Sequence, residues 1–207
     1  MAGARAPPGA RPRGLPIEDL PLFPLNTVLF PGGRLPLRIF EQRYMEMAKA
    51  CLRDGTPFGV CLIRDGTEVG APATPAEVGC IARIAEWDMA QLGVLEIRAL
   101  GERRFRIVER RVQSDGLALA SVHLLEEETY AEIEPHCADC VSLLERILAQ
   151  PGAPVAPPYR MESALWVSSR LAEILPLPLE VKQALLELDD GRARLDRVNR
   201  LLAAISP

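Results

Sequence analysis

One short sequence in this chain has the spacing of a chemical site, the His-Cys-x-x-Cys formed by His136, Cys137 and Cys140. A Cys-x-x-Cys pair binds zinc when a second pair of ligands is present, and it exchanges thiols with disulfides when it begins a helix. The sequence offers no second pair. The remaining cysteines and histidine are isolated positions, namely Cys51, Cys61, Cys80 and His123. Because the pair also fits the apolar stripe of a predicted helix, where a thiol behaves as a small hydrophobe, we interpret both cysteines as core residues and expect no metal and no cofactor.

The chain also lacks the motifs of nucleotide hydrolysis and peptide hydrolysis. A phosphate-binding loop needs a lysine after a glycine, but Lys49 and Lys182 follow alanine and valine. These two lysines fall on predicted amphipathic helices, where a solvated amine stays protonated and is a poor base for a serine nucleophile. The Gly-x-Ser-x-Gly elbow of many hydrolases is absent as well. We predict that the chain is not an enzyme.

Arginines crowd one segment of the chain, between positions 98 and 111. An arginine-rich face of a sheet can contact RNA phosphates, so RNA binding is the alternative function, with the candidates Arg98, Arg104, Arg106 and Arg110. The competing interpretation is strand alternation, in which these arginines face solvent and pair with glutamates on neighbouring strands. A net charge of -4 and an aromatic content of 5% favour this second interpretation. Nucleic acid is therefore the less favoured partner.

Apolar residues beyond the needs of a core are the expected mark of a polypeptide-binding surface. Segment 22–40 carries more of them than two alternating strands bury on one face. Trp166 lies off the main apolar stripe of its predicted helix, and Tyr159 is in the proline-rich loop before it. The two rings could line a peptide groove between barrel and helices, but an anchoring role for Trp166 is favoured, because buried tryptophans commonly stabilise cores. The candidate contact residues are Leu25, Val28, Phe30, Leu37, Phe40, Tyr159 and Trp166.

The elements that position these residues are mostly strands up to about residue 125. Apolar runs at 22–30 and 35–40 flank the turn sequence Pro31-Gly32-Gly33, and a helix is predicted over 41–53. Further strands are predicted at 58–63, 78–85, 94–100, 104–112 and 117–125. Asp115-Gly116 is a type I′ hairpin signal between the last two. Short strands with turn signals between them indicate an antiparallel sheet or barrel, with one helix packed over an open end.

The pattern changes after five glutamates within 126–135, a segment that we interpret as an acidic connector. Apolar residues then recur at helical spacing at about 135–148, 162–175, 179–188 and 193–204. The predicted organisation is a disordered tail at 1–16, a barrel at 17–125, the connector at 126–135 and a helical bundle at 136–207. The tail has no apolar segment of the kind that a secretory signal needs.

Cysteine content indicates the compartment that we expect. The 207 residues contain five cysteines, an odd number without an export signal, which favours reduced thiols in the cytoplasm. The chain has no run of about 18 apolar residues, so we expect no membrane-spanning helix and no membrane partner.

Three segments together resemble one known family. Residues 20–59 (LPLFPLNTVLFPGGRLPLRIFEQRYMEMAKACLRDGTPFG) give a strand, a Pro-Gly turn, a strand, a helix and a strand, as at the start of the N-terminal domain of Lon proteases. Residues 93–109 (GVLEIRALGERRFRIVE) resemble the paired strands of that family, and residues 164–202 resemble the helical half of its stand-alone bacterial members.

This resemblance implies an α+β fold. A barrel like that of pseudouridine synthase and archaeosine transglycosylase (a PUA-like barrel), with one inserted helix, would precede a helical bundle. In Lon proteases this domain engages substrates, whereas an ATPase and a serine protease lie further along the chain. We therefore expect a stand-alone member that lacks both and binds unfolded or exposed polypeptide segments. It would act as an adaptor for proteolysis or protein quality control, with a separate protease or chaperone as its partner.

Overall fold

Strands fill the first half of the molecule and helices the second, which confirms the predicted α+β class. The computed structural model describes residues 16–126, 131–155 and 157–205. The predicted tail, apart from residue 16, lies outside the described residues, as do positions 127–130 of the predicted connector. No described helix is long and apolar enough to cross a lipid bilayer.

The described strands form a barrel with one extension. In chain order they are β1 (Ile17–Leu25), β2 (Arg34–Ile39), β3 (Phe58–Asp65), β4 (Thr74–Pro75), β5 (Val78–Gln91), β6 (Val94–Val112) and β7 (Ala118–Leu124). The path β1-β7-β6-β5-β3 is hydrogen-bonded between neighbours, and β1 also pairs with β3, which closes the barrel. The β1–β3 pair is parallel, and the other pairs around the barrel are antiparallel. The predicted PUA-like antiparallel barrel is thus confirmed, with one parallel seam.

Beyond the barrel, β6 continues as the middle strand of a three-stranded ribbon. Its residues 95–100 pair with β2 on one side, and its residues 94–100 pair with residues 83–91 of β5 on the other. Two separate strands are predicted at 94–100 and 104–112, but β6 runs from Val94 to Val112 as one strand. Gly101 lies inside β6 because it allows a close approach: a Cβ there would sit 2.4 Å from the carbonyl oxygen of Phe30.

Two turns also differ from the prediction. The apolar run predicted as a strand over 22–30 leaves the sheet at Leu25, where β1 ends, and residues 26–33 form the connection to β2. This connection is hydrogen-bonded to β6 through Gly101, whose N–H donates to Gly33 O at 2.9 Å. At the β6–β7 turn Gly116 has a φ of 88°, but Asp115 does not share a positive φ, so the hairpin is not type I′.

One helix, α1 (Gln42–Asp54), packs on the barrel and on the base of the ribbon. Its apolar stripe, which includes Tyr44 and Cys51, is buried in a core shared with the strands. The Tyr44 ring stacks on Phe23 of β1, with ring centroids 4.1 Å apart. Gly55 ends the helix with a φ of 65° and donates its N–H to Cys51 O. The predicted helix over 41–53 is confirmed.

The helical half consists of α2 (Ala138–Leu148), α3 (Ala164–Ile174), α4 (Leu179–Glu187) and α5 (Gly191–Ile205), with a 3-10 turn at Pro135–Cys137 before α2. Leu144, Leu171 and Val198 are fully enclosed in its core. The same core includes Phe30 from the β1–β2 connection and Val78 from β5. The barrel and the bundle are therefore joined by continuous apolar packing.

Candidate functional site

The ribbon carries an exposed apolar surface. Phe40 and Trp87 are each 60% exposed, and three further large apolar residues of this region are exposed with them. The surface is named here the ribbon patch and consists of Leu37, Phe40, Val69, Trp87, Met89 and Leu92. Large apolar side chains grouped in solvent mark interaction sites more often than scattered ones do.

Strand register explains how part of this patch forms. Leu37, Ile97 and Trp87 lie in one row across β2, β6 and β5. Directly opposed residues of antiparallel strands share a face of the sheet, so Leu37 and Trp87 flank Ile97. Ile97 is buried, whereas Trp87 extends into solvent. Alternate positions carry charge, as in the ion pair between Arg98 and Glu86, so the ribbon has one apolar and one charged face.

A hollow of about 160 Å³ adjoins this row at Leu37. It brings together three of the predicted contact residues, Leu25, Leu37 and Phe40, with Val69 on its rim. Leu25 requires a correction, because it is buried in the barrel core and reaches the hollow only as part of its wall. Phe40 is exposed because it follows the last residue of β2 and has left the packed face of the sheet.

Four residues of the ribbon patch are not among the predicted contact residues, namely Val69, Trp87, Met89 and Leu92. The last three belong to the outer part of the ribbon. A signal was present: from Glu86 to Met89, acidic and apolar residues alternate with the period of a strand. The predicted strand ended at 85, whereas β5 continues to Gln91 and carries these side chains away from the barrel.

The ribbon has two outer edges, β2 and residues 83–91 of β5, and among the described residues β2 pairs with β6 alone. Pro36 stands in the middle of this strand. Proline lacks an N–H and is confined to edges of sheets, where it hinders the addition of another strand. The β2 edge therefore offers side chains to a ligand more readily than backbone hydrogen bonds, whereas no proline interrupts residues 83–91 of β5.

A second concavity lies between barrel and bundle, where the sequence analysis placed a peptide groove. This cleft has a volume of about 390 Å³. Its walls are formed by the β1–β2 connection, α3 and α4, and they are more charged than the predicted groove. The charged lining residues are Arg34, Arg170, Glu173 and Lys182. Val28 also lines the cleft, but neither Tyr159 nor Trp166 does.

Glu173 is the electrostatic centre of this cleft. Its carboxylate lies 3.1 Å from Arg170 Nη2 and accepts a hydrogen bond from the Phe30 N–H at 3.4 Å. Burial raises the pKa of Glu173 to about 7, and the Arg170 charge opposes this effect. Arg170 also donates to Pro31 O at 2.7 Å, and Lys182 donates to Glu173 O at 2.8 Å. Because these groups hold the β1–β2 connection against α3, the cleft is a joint between the two halves.

Of the two predicted groove residues of the helical half, Trp166 packs against the bundle core, whereas Tyr159 is 43% exposed. Tyr159 and Trp166 lie with ring centroids 6.0 Å apart, and Trp166 is partly buried against the bundle core, as its favoured anchoring role requires. Val28 and Phe30 are buried in the same core, and Phe30 has no exposed surface. The interpretation of Phe30 and Val28 as exposed contact residues is wrong, because the chain turns towards the helices after β1.

One arginine of the predicted RNA-binding face, Arg104, is buried. Arg104 is only 2% exposed and donates to the carbonyl oxygens of Leu186 and Leu188, both at 2.9 Å. Strand alternation does turn Arg104 away from Phe105 and the barrel interior. The helical bundle, however, covers the outer face of β6 at this position. Arg104 is therefore excluded from an RNA-binding face and ties β6 to the end of α4.

The other three arginines of that set remain exposed, and each has a partner. Arg98 is paired across the ribbon, Arg106 Nη1 lies 3.9 Å from Glu77, and Arg110 donates to Ala73 O at 3.1 Å. Acidic and carbonyl partners reduce the positive potential that a phosphate backbone needs. The geometry does not favour the RNA alternative.

The His-Cys-x-x-Cys sequence lies at the start of α2, beside α5. Cys137 and Cys140 are buried in the bundle core. Burial raises the pKa of Cys137 to about 12 and that of Cys140 to about 11. A protonated thiol is a poor nucleophile, so the arrangement does not favour thiol–disulfide exchange. The sequence analysis missed Asp196, whose Oδ1 lies 3.4 Å from Cys137 Sγ although the two residues are 59 positions apart.

A family model, curated relatives and solved structures that resemble this chain indicate the same protein family. The family model of the ATP-dependent protease La (LON) substrate-binding domain matches residues 19–204. Lon protease 2 of Myxococcus xanthus is 31% identical over 211 residues, which cover 98% of this chain and 25% of the relative. The crystal structure of a Lon N-terminal domain protein from Xanthomonas campestris is 39% identical with a TM-score of 0.76, over 92% of this chain and 100% of that one.

The N-terminal domain of the Mycobacterium avium complex Lon protease shares the fold at 19% identity, with a TM-score of 0.62 over 87% of this chain and 96% of that chain. This chain spans about a quarter of the length of the curated Lon relatives that it matches. The similarity to those proteases therefore concerns about a quarter of their length.

Proposed function

Because this chain belongs to the family of LON substrate-binding domains, we propose that it binds polypeptide and that the ribbon patch is the contact surface. Its ligands are the exposed apolar segments of unfolded proteins. The observation that carries the proposal is Trp87, which is 60% exposed and in register with Leu37 on an open ribbon. Exposed aromatic rings of this kind act as anchors in protein recognition, since a partner removes a large apolar area from water.

The patch has two neighbouring concavities along the ribbon, which suits an extended chain. Leu37 and Trp87 line a depression of about 530 Å³, and the adjoining hollow at Phe40 has a volume of about 160 Å³, below the roughly 300–1,000 Å³ of small-molecule pockets. It accommodates one or two apolar side chains of a longer segment. Pro36 weakens strand addition at the β2 edge, and we infer that the exposed side chains of the patch carry the affinity.

Binding without catalysis is also part of the proposal. A Ser–Lys hydrolase needs a lysine with an available neutral amine. Lys49 pairs with Glu46 at 2.9 Å, and Lys182 donates to Glu173 O at 2.8 Å. We infer an adaptor that passes bound segments to a separate protease or chaperone. A reducing cytoplasm suits the free thiols of its cysteines.

Replacement of Trp87 by alanine tests the patch. Anisotropy of a fluorescently labelled, permanently unfolded protein should show an affinity about 10- to 30-fold weaker for Trp87→Ala, the loss typical of an aromatic anchor. Stability should change little, because the ring is mostly in solvent. Trp166→Ala is the matched control, and it should lower stability while affinity is retained.

Two results would contradict the proposal. Equal affinity of Trp87→Ala and the parent chain would remove the patch from the binding surface. Binding that falls steeply as salt rises would indicate phosphate-like contacts, and with an RNA ligand it would support the arginine alternative.

A further inference from the structure

Three metal-binding side chains meet where the start of α2 packs against α5. His136, Cys137 and Asp196 each offer one ligand atom, and the three atoms lie within 4.8 Å of one another. We propose that these residues bind one zinc ion. The site is separate from the ribbon patch, and the proposed recognition of polypeptides does not depend on it.

Two of the three ligand separations are close to those of a zinc site, and the third is at most 4.8 Å. Zinc lies about 2.0–2.2 Å from nitrogen and oxygen and about 2.3 Å from sulfur, so tetrahedral ligand atoms are roughly 3.2–3.7 Å apart. Cys137 Sγ is 3.4 Å from Asp196 Oδ1, which is within that range. His136 Nε2 is 2.7 Å from the same oxygen, so the imidazole must withdraw by about 1 Å or less. Its side chain is 59% exposed and has room to do so.

Asn199 holds the backbone that carries His136 against α5. Asn199, one helical turn beyond Asp196 on α5, donates to His136 O at 3.1 Å, and its Oδ1 lies 3.6 Å from Cys140 Sγ. These contacts fasten the start of α2 to α5 and so keep the ligands of the two segments close together. Because Cys137 is buried while His136 is exposed, one side of the ion faces solvent, where water takes the fourth position.

The ligand types select the metal. Thiolate and imidazole are poor ligands for calcium and magnesium, which prefer oxygen, but together with one carboxylate they suit zinc. Cys137 binds as the thiolate and releases its proton to solvent. If the three side chains form only a hydrogen-bonded cluster, added metal ions will have no effect on the protein.

Cobalt titration distinguishes the two cases, because Co²⁺ replaces zinc and is visible by absorption. We expect one equivalent of Co²⁺ to give a thiolate-to-cobalt charge-transfer band with the chelator-treated chain, and Zn²⁺ to remove it. Cys137→Ser should abolish the band, and His136→Asn should weaken Co²⁺ binding at least about tenfold. His123→Asn, which changes the other histidine, is the matched control and should bind Co²⁺ as the parent chain does.

Thermal unfolding gives an independent readout, since an ion that binds only the folded state raises the midpoint. Zinc should raise the midpoint temperature of the parent chain and of His123→Asn but not that of His136→Asn. Because the His136 side chain is exposed, its replacement should leave folding intact, so a missing zinc effect would not result from misfolding. The proposal is overturned if the parent chain gives no charge-transfer band, if the band persists in Cys137→Ser, or if His136→Asn binds Co²⁺ with unchanged affinity.

Discussion

Arg104 joins the barrel to the bundle, and its replacement by methionine measures how much that connection contributes to stability. The arginine lies on β6, and its Nη1 donates to the carbonyl oxygens of Leu186 and Leu188 at 2.9 Å each. Asp189 Oδ1 is 3.2 Å away, but the Asp189 side chain is 75% exposed, so solvent screens this ion pair. Methionine retains the apolar stem and removes the guanidinium group.

The expected magnitude follows from the two short hydrogen bonds. A hydrogen bond from a charged donor contributes about 1.5–3 kcal/mol, so the loss of two removes roughly 3–6 kcal/mol. Part of this is offset, because the buried charge no longer has to be desolvated. We expect a net loss of about 2–4 kcal/mol in the free energy of unfolding for Arg104→Met, which lowers the urea midpoint by roughly 1–2 M.

Urea unfolding followed by circular dichroism provides the measurement. Arg106→Met is the matched control, since Arg106 lies on the same strand, is exposed and has only a distant ion pair, at 3.9 Å from Glu77. Its free energy of unfolding should change by less than about 0.5 kcal/mol. If Arg104→Met unfolds at the same urea concentration as Arg106→Met, the guanidinium group does not hold the two halves together and the reasoning is refuted.

Two further predictions concern the same joint. Burial raises the pKa of Glu173 from 4.5 to about 7, so the folded state retains a proton that the unfolded state releases, and the free energy of unfolding should decrease as pH rises through this window. Glu173→Gln should flatten that decrease in urea titrations at several pH values, and a parallel profile would contradict the assignment. Gly101→Ala places a Cβ 2.4 Å from Phe30 O and should reduce stability by about 2–4 kcal/mol. The neighbouring substitution Leu100→Ala should reduce stability by less than about 1 kcal/mol. Equal urea midpoints for Gly101→Ala and Leu100→Ala would show that the β1–β2 connection can move away from β6 to make room for the added methyl group.

Local periodicity was sufficient for the helices but not for the closure of the barrel. In α1 the recurrence of Tyr44, Ala48 and Cys51 on one face depends only on neighbouring sequence, and the helix formed where it was predicted. The parallel pairing of Leu22 with Gly59 depends on which distant strand completes the sheet. Apolar strands fit parallel and antiparallel neighbours alike, so the sequence did not determine this pair.

The sequence pattern predicted correctly which way the charged side chains of β6 point, but not which residues surround them. Strand alternation turns Arg104 away from the barrel interior, as the sequence analysis expected for the arginines of β6. The helical bundle then covers Arg104, so the outer face of β6 is buried at this position. This burial depends on the packing of the two halves and cannot be inferred from strand alternation. The same limit applies to Asp196 of α5, which contacts Cys137 just before α2. Nothing in the sequence spacing of these two residues indicates that they meet.

The surplus of apolar residues in segment 22–40 was the main sequence argument for a binding surface, and the structure divides that surplus. Leu25 is packed in the barrel core, Phe30 in the bundle core, and Phe40 is left in solvent. A connection that serves two cores needs apolar side chains on both sides, so a high apolar content does not by itself indicate a ligand. The informative residues are those still exposed after both cores are filled. Phe40 and Trp87 meet that condition, and only the packing of the whole chain separates them from Leu25 and Phe30.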